Sequence, residues 1–130
     1  MNLTSTELRV LVANSVVEVK FRRRKQKPGY SIDRRMLCTN NWALLTSMPG
    51  RIALNFKPPT HPPPYNAKAK GLVTTWDLFW QQYRNISLDN YVVISAMPVQ
   101  TEEDRTKFWA FFNAVLQDMS GQQKIGYMNS

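Results

Sequence analysis

Val16-Val17-Glu18-Val19-Lys20-Phe21-Arg22 is the stretch that decides how the rest of the chain is read. Val17, Val19 and Phe21 alternate with Glu18, Lys20 and Arg22, which places apolar side chains on one side of an extended backbone and polar ones on the other. This is the pattern of a half-buried strand. Lys25-Gln26-Lys27-Pro28-Gly29 follows as a turn, and Tyr30 to Thr39 is expected to return as the second strand of a hairpin.

Before the hairpin, Thr4 to Asn14 reads as a short helix. Thr4 and Glu7 have capping-box spacing, and Leu8, Leu11 and Val12 make an apolar stripe at helical period. After it, Asn40-Asn41 breaks the strand, Trp42 to Met48 reads as a helical turn, and Arg51 to Phe56 alternates weakly as a further strand. Lys57 to Lys70 carries Pro58, Pro59, Pro62, Pro63 and Pro64, which break helix and ladder alike, so 57–70 is expected to be an exposed loop insertion of polyproline character. Gly71 to Phe79, Tyr83 to Leu88 and Tyr91 to Met97 are three closely spaced strands, with turns at Gln81-Gln82 and Asp89-Asn90. Such a meander is expected to curl into a small barrel. Thr101 caps a longer helix, and Glu102, Glu103 and Asp104 suit its positive first turn. Phe108, Phe111, Phe112, Val115, Leu116 and Met119 form a wide apolar face, expected to pack on the barrel, and Gly121 reads as the stop. Residues beyond it are expected to fray, with Ile125 and Tyr127 as the side chains able to dock.

The expectation is therefore a mainly β chain with flanking helices. It is one domain over residues 1–130, with a barrel over 16–97 and a C-terminal helix over 101–120. At 130 residues the chain is long enough for one core, and its balance of 43% apolar to 20% charged residues is that of a folded protein.

Composition also narrows the chemistry. Cys38 is the only cysteine and His61 the only histidine, so an internal disulfide or a zinc site built from these residue types is excluded. Cys38 sits in a strand beside Leu37 and reads as a buried structural thiol. The chain has no Gly-rich phosphate loop, no paired-histidine metal motif and no GxSxG elbow. Asp77 and Asp89 flank strands, but nothing in the sequence places them together. The reading is a non-enzymatic protein without a cofactor. No apolar run approaches the roughly 20 residues of a membrane span. A free thiol and a start without export features suit a reducing cytoplasm.

The positive signal is charge. A net charge of +8 attracts polyanions. Lys20, Arg22, Arg23, Arg24, Lys25 and Lys27 lie within eight consecutive positions, and Arg34 and Arg35 return on the partner strand, with Asp33 the only acid among them. Like charges set side by side cost stability, so a chain that keeps them is expected to use their field. A basic two-stranded ribbon fits phosphate contacts on nucleic acid, DNA before RNA, with little sequence preference. Among the aromatics Trp76, Phe79, Trp80, Tyr83 and Tyr91, Trp80 sits at a turn and is the candidate for stacking on a base. The alternatives are a protein-interaction module, acting on a host protein through the aromatic helix or the Pro-rich loop, and a virion component.

Two groups of strings also resemble a family. Val16-Val17-Glu18-Val19-Lys20-Phe21 with Arg35-Met36-Leu37-Cys38-Thr39 resembles the opening hairpin of the phage-encoded Sm-like SH3-barrel domains named after the WYL domain. Val73-Thr74-Thr75-Trp76-Asp77-Leu78, followed by Tyr83-Arg84-Asn85-Ile86 and Leu88-Asp89, resembles that family's closing strands. The similarity spans residues 8 to 95. The long Pro-rich insertion, Tyr83 in place of the usual Trp, and the C-terminal helix depart from the pattern. The resemblance implies a tailed-phage protein with a five-stranded Sm/SH3-like barrel acting in the host cytoplasm.

Overall fold

The computed structural model describes residues 3–25, 28–46, 71–113 and 119–130. The expected strand at 51–56 and the Pro-rich loop at 57–70 lie outside them, as do Lys27, His61, Val115 and Leu116.

The chain opens with helix α1 (Ser5–Asn14), started by the capping box in which Thr4 and Glu7 satisfy each other's backbone N–H groups. Such a cap is worth about 1 kcal/mol. Strands β1 (Ser15–Arg22) and β2 (Asp33–Thr39) form the expected hairpin, and the short helix α2 (Trp42–Leu45) follows. Next come β3 (Leu72–Asp77), β4 (Gln82–Ser87) and β5 (Tyr91–Pro98), then helices α3 (Glu102–Phe111) and α4 (Gly121–Asn129).

The five strands make one antiparallel sheet of order β4-β3-β2-β1-β5. The outer strands β4 and β5 are consecutive in the chain, separated only by Leu88, Asp89 and Asn90. They do not pair among the described residues, so the ladder is open. The register of β1 on β5 shifts between Glu18 and Val19, where Ile94 is the extra residue. A bulge of this kind bends a strand and strengthens its twist.

Alternation along the strands gives the sheet two apolar faces. Val17, Val19, Phe21, Met36, Cys38, Val73, Ile86 and Val93 pack with Leu8 and Val12 of α1. On the other side Val16, Trp76, Leu78 and Phe79 pack with Leu44 and Leu45 of α2 and with Phe108, Trp109 and Phe112 of α3 and its C-cap. The two sides are locked where α1 meets the sheet. Thr39 Oγ1 donates to the carbonyl of Ser15 at 2.8 Å, and the Asn40 N–H to that of Val12 at 2.7 Å.

Three elements differ from expectation. β3 ends at Asp77, not Phe79, because Asp77 Oδ1 accepts from the N–H groups of Phe79 and Trp80 at 2.9 and 3.1 Å. Those bonds draw the chain into a turn over Leu78–Gln81, ending on Gln81 at φ 53°, and Gln82 already belongs to β4. On α3, Trp109 is buried and Phe111 is 46% exposed, although the helical stripe assigned Phe111 to the core. The reason is α2: Trp109 Nε1 donates to the Leu44 carbonyl at 3.2 Å, which turns the buried face toward Trp109 while Phe108 and Phe112 stay within it. Gly121 opens a helix and stops none. Ser120 and Gln123 form a second capping box, and α4 docks through Met128 and Tyr127.

Candidate nucleic-acid interface

The hairpin's basic residues separate into three groups. Lys20 and Arg35 turn toward α4. Lys20 Nζ donates to the Ser130 carbonyl at 3.0 Å, while Arg35 donates to Glu18 Oε1 at 2.8 Å and lies 5.0 Å from the centre of the Tyr127 ring. Tyr127 in turn donates to Glu18 Oε2 at 2.8 Å. Arg22 and Arg24 point outward into exposed ion pairs, with Asp33 at 3.2 Å and Asp89 at 3.1 Å. Pairs of this kind contribute about 0–1 kcal/mol.

The third group lines a cleft. Arg23, Lys25 and Arg34 come together with Arg84 of β4, Tyr30, Trp80 and Met128 around about 510 Å³ of open space. The register explains the meeting. Arg34 precedes Met36 and Cys38 by whole two-residue steps, Arg84 likewise precedes Ile86, and all of these side chains share the sheet face that α1 covers at its other end. Where the apolar positions stop, arginines take over.

Arg34 is buried, and its Nη2 donates to Asp77 Oδ2 at 2.7 Å. Asp77 therefore has two tasks: one oxygen shapes the turn that carries Trp80, and the other neutralises Arg34. Burial pushes the Asp77 carboxyl up, against the pull of the Trp80 N–H and of Arg34. Arg23 Nε donates to the Ser31 carbonyl at 3.1 Å, and its guanidinium lies 5.4 Å from the centre of the Tyr30 ring. Burial lowers the Arg23 and Arg34 values, and the field of Arg84 lowers both further. The three guanidinium groups thus repel one another, and Asp77 is the carboxylate paired with Arg34 among the described residues. Arg23 Nη2, Arg34 Nε and Arg84 Nε are buried donors without a hydrogen-bond partner among the described residues. Trp80 is partly buried, and Lys124 Nζ of α4 lies 5.8 Å from the centre of its ring.

The remaining aromatics of the expected set serve the fold. Trp76 and Phe79 are buried, Trp76 meets Tyr83 edge-on at 5.1 Å, and the Tyr91 hydroxyl donates to the Leu3 carbonyl. Asp77 and Asp89 hold separate partners, Arg34 and Arg24. Arg84 and Tyr30 were not singled out in the sequence. The alternation of Arg84 with Ile86 carries a signal for Arg84, but the β3–β4 register is needed to read it.

A second cleft, of about 260 Å³, is apolar and lies beside α3. Its walls include Val16, Leu37, Phe79, Met97, Phe108 and Phe111. Among the described residues no helix is long and apolar enough to cross a membrane.

Comparison of the chain with family models, curated proteins and solved structures returned no match.

Proposed function

We propose that the chain is a non-enzymatic nucleic-acid-binding protein whose contacts run mainly to phosphates. The observation that carries this reading is the crowding of Arg23, Arg34 and Arg84 around one cleft, with Asp77 paired to Arg34 and with Tyr30 and Trp80 in the lining. A cluster of like charges costs folding stability; a polyanion relieves that cost on binding. DNA is the first expected ligand and RNA the second, with little base preference wherever phosphates supply the contacts. The test is titration of labelled DNA at several salt concentrations. Affinity that is undetectable at low salt, or indifferent to salt, would sink the reading.

The proposal extends to the fold and setting. A strand order of β4-β3-β2-β1-β5 with three residues between the outer strands supports a sheet curled into an Sm/SH3-like barrel. A phage origin and action in the host cytoplasm rest on the resemblance of the strand strings.

The apolar cleft favours a second reading, an interaction module for a host protein. Phe111 and Met97 line it, and Ile94 and Val92 are exposed further along β5. Affinity capture from host lysate with and without nuclease separates the two readings. Partners that vanish with nuclease support nucleic acid, whereas a stoichiometric protein that stays supports the module.

A further inference from the structure

We propose that the Arg23–Arg84 cleft holds one unpaired nucleotide of a single strand, its base against Trp80 and its phosphate between Arg23 and Arg84. This inference rests on the nucleic-acid reading and narrows it to a strand form.

The cleft lining joins two kinds of chemistry. Arg23 and Arg84 each carry a buried guanidinium nitrogen with no partner among the described residues, and exposed Lys25 adds a third cation. Guanidinium groups match phosphate oxygens in a planar, two-bond geometry. The same lining holds Trp80, Tyr30 (with the Arg23 guanidinium over its ring) and the Met128 thioether, which are flat or apolar surfaces. Cations for a phosphate and a ring for a base, in one cleft, complement the two parts of a nucleotide. A volume of about 510 Å³ falls within the roughly 300–1,000 Å³ of pockets that enclose small ligands. A base inside a duplex is stacked on its neighbours and cannot lie on a tryptophan in a cleft, so only an unpaired or extruded base fits. The support of Trp80 is fixed: its backbone N–H donates to Asp77, which Arg34 holds in turn. Lys124, over the same ring, adds a cation from α4.

The experiment compares the wild-type protein with Trp80→Leu, which keeps apolar bulk, and Trp80→Phe, which keeps a ring. Melting temperature is checked for each variant. The probes are an oligothymidylate, an abasic phosphodiester of equal length, a duplex, and free thymidine monophosphate. The expected result is about tenfold or greater loss of oligothymidylate affinity in Trp80→Leu, mostly regained in Trp80→Phe. Duplex and abasic affinities should be equal in all three proteins. Unchanged oligothymidylate binding in a folded Trp80→Leu overturns the base site. If duplex and single strand also bind alike and weaken together in Arg23→Gln/Arg84→Gln, the phosphate-directed function stands without it. Free monophosphate binding as tightly as the oligomer makes the occupant a free nucleotide and overturns the strand. Failure of every polymer to bind overturns both readings.

Discussion

At Cys38 a single buried atom sets a pH dependence. The thiol is fully buried, donates to the Val17 carbonyl at 3.6 Å, and is pushed up by burial to about 12. In the unfolded chain it ionises near about pH 8.5. Between those values the folded chain keeps a proton that the unfolded chain loses. The thiol's contribution to stability is therefore complete below about pH 8.5 and is lost as pH rises, by about 1.4 kcal/mol per pH unit. Urea unfolding at pH 7, 8.5 and 9.5 is expected to show this decline, and Cys38→Ala to remove most of it. Iodoacetamide should label the native chain only as fast as it unfolds. Tyr127, raised by burial and then by its bond to Glu18, acts with the same sign at higher pH. A second residue-scale expectation concerns Asp77→Asn, which keeps the acceptor for the Trp80 turn but strips the charge from a buried pair. Removing one partner of such a pair costs about 3–5 kcal/mol, readable as a shift in urea midpoint at constant slope. The buried thiol was legible in the sequence, since a cysteine in an apolar strand has few other fates. The Arg34–Asp77 bond was not, because it joins residues 43 apart whose meeting depends on the β2–β3 register.

Among the elements, α3 shows where periodicity stops being sufficient. Its start at Thr101 and its three acids were readable because a cap and a helix dipole act locally. Its buried face was not, because Trp109, three residues before Phe112, fits helical spacing as well as Phe111, three after Phe108. Only the neighbour α2 decides. Trp109→Ala is expected to cost about 3–5 kcal/mol, a typical value for truncating a large buried aromatic. Phe111→Ala should lower the melting temperature far less. If Phe111→Ala proves the worse of the two, the helix face has been placed wrongly. α4 was missed although its signal was present. Ser120 and Gln123 have the same spacing as Thr4 and Glu7, but a glycine beside them was read as the end of the preceding helix. Glycine serves in either position, and the capping pair outweighs it.

For the molecule as a whole, the strands at 15–22, 33–39, 72–77, 82–87 and 91–98 were legible, because one face of the sheet is buried more fully than the other, which leaves an alternation along β1 and β2 that turn residues then punctuate. The use of the charges was legible only in sum. Six neighbouring cations look alike in a sequence, yet Arg22 and Arg24 are held by Asp33 and Asp89 while Arg23 joins Arg84 at the cleft. The salt dependence of DNA binding should separate them. Each phosphate neutralised contributes about −0.9 to the slope of log K against log salt. Arg23→Gln/Arg84→Gln is expected to flatten the slope by about two, and Arg22→Gln/Arg24→Gln by less. Equal flattening by both pairs would return the contact surface to the whole ribbon. The strand order has a further consequence, during synthesis. β1 lies between β2, which follows it closely, and β5, whose Tyr91 pairs with Phe21 across seventy residues. At about 5–20 residues per second, the ribosome leaves that edge of β1 without its neighbour for roughly 4–14 s. Throughout that time the nascent hairpin exposes a row of free amides beside Val17 and Val19, which makes it a substrate for chaperones or for a second nascent copy before it is a finished sheet.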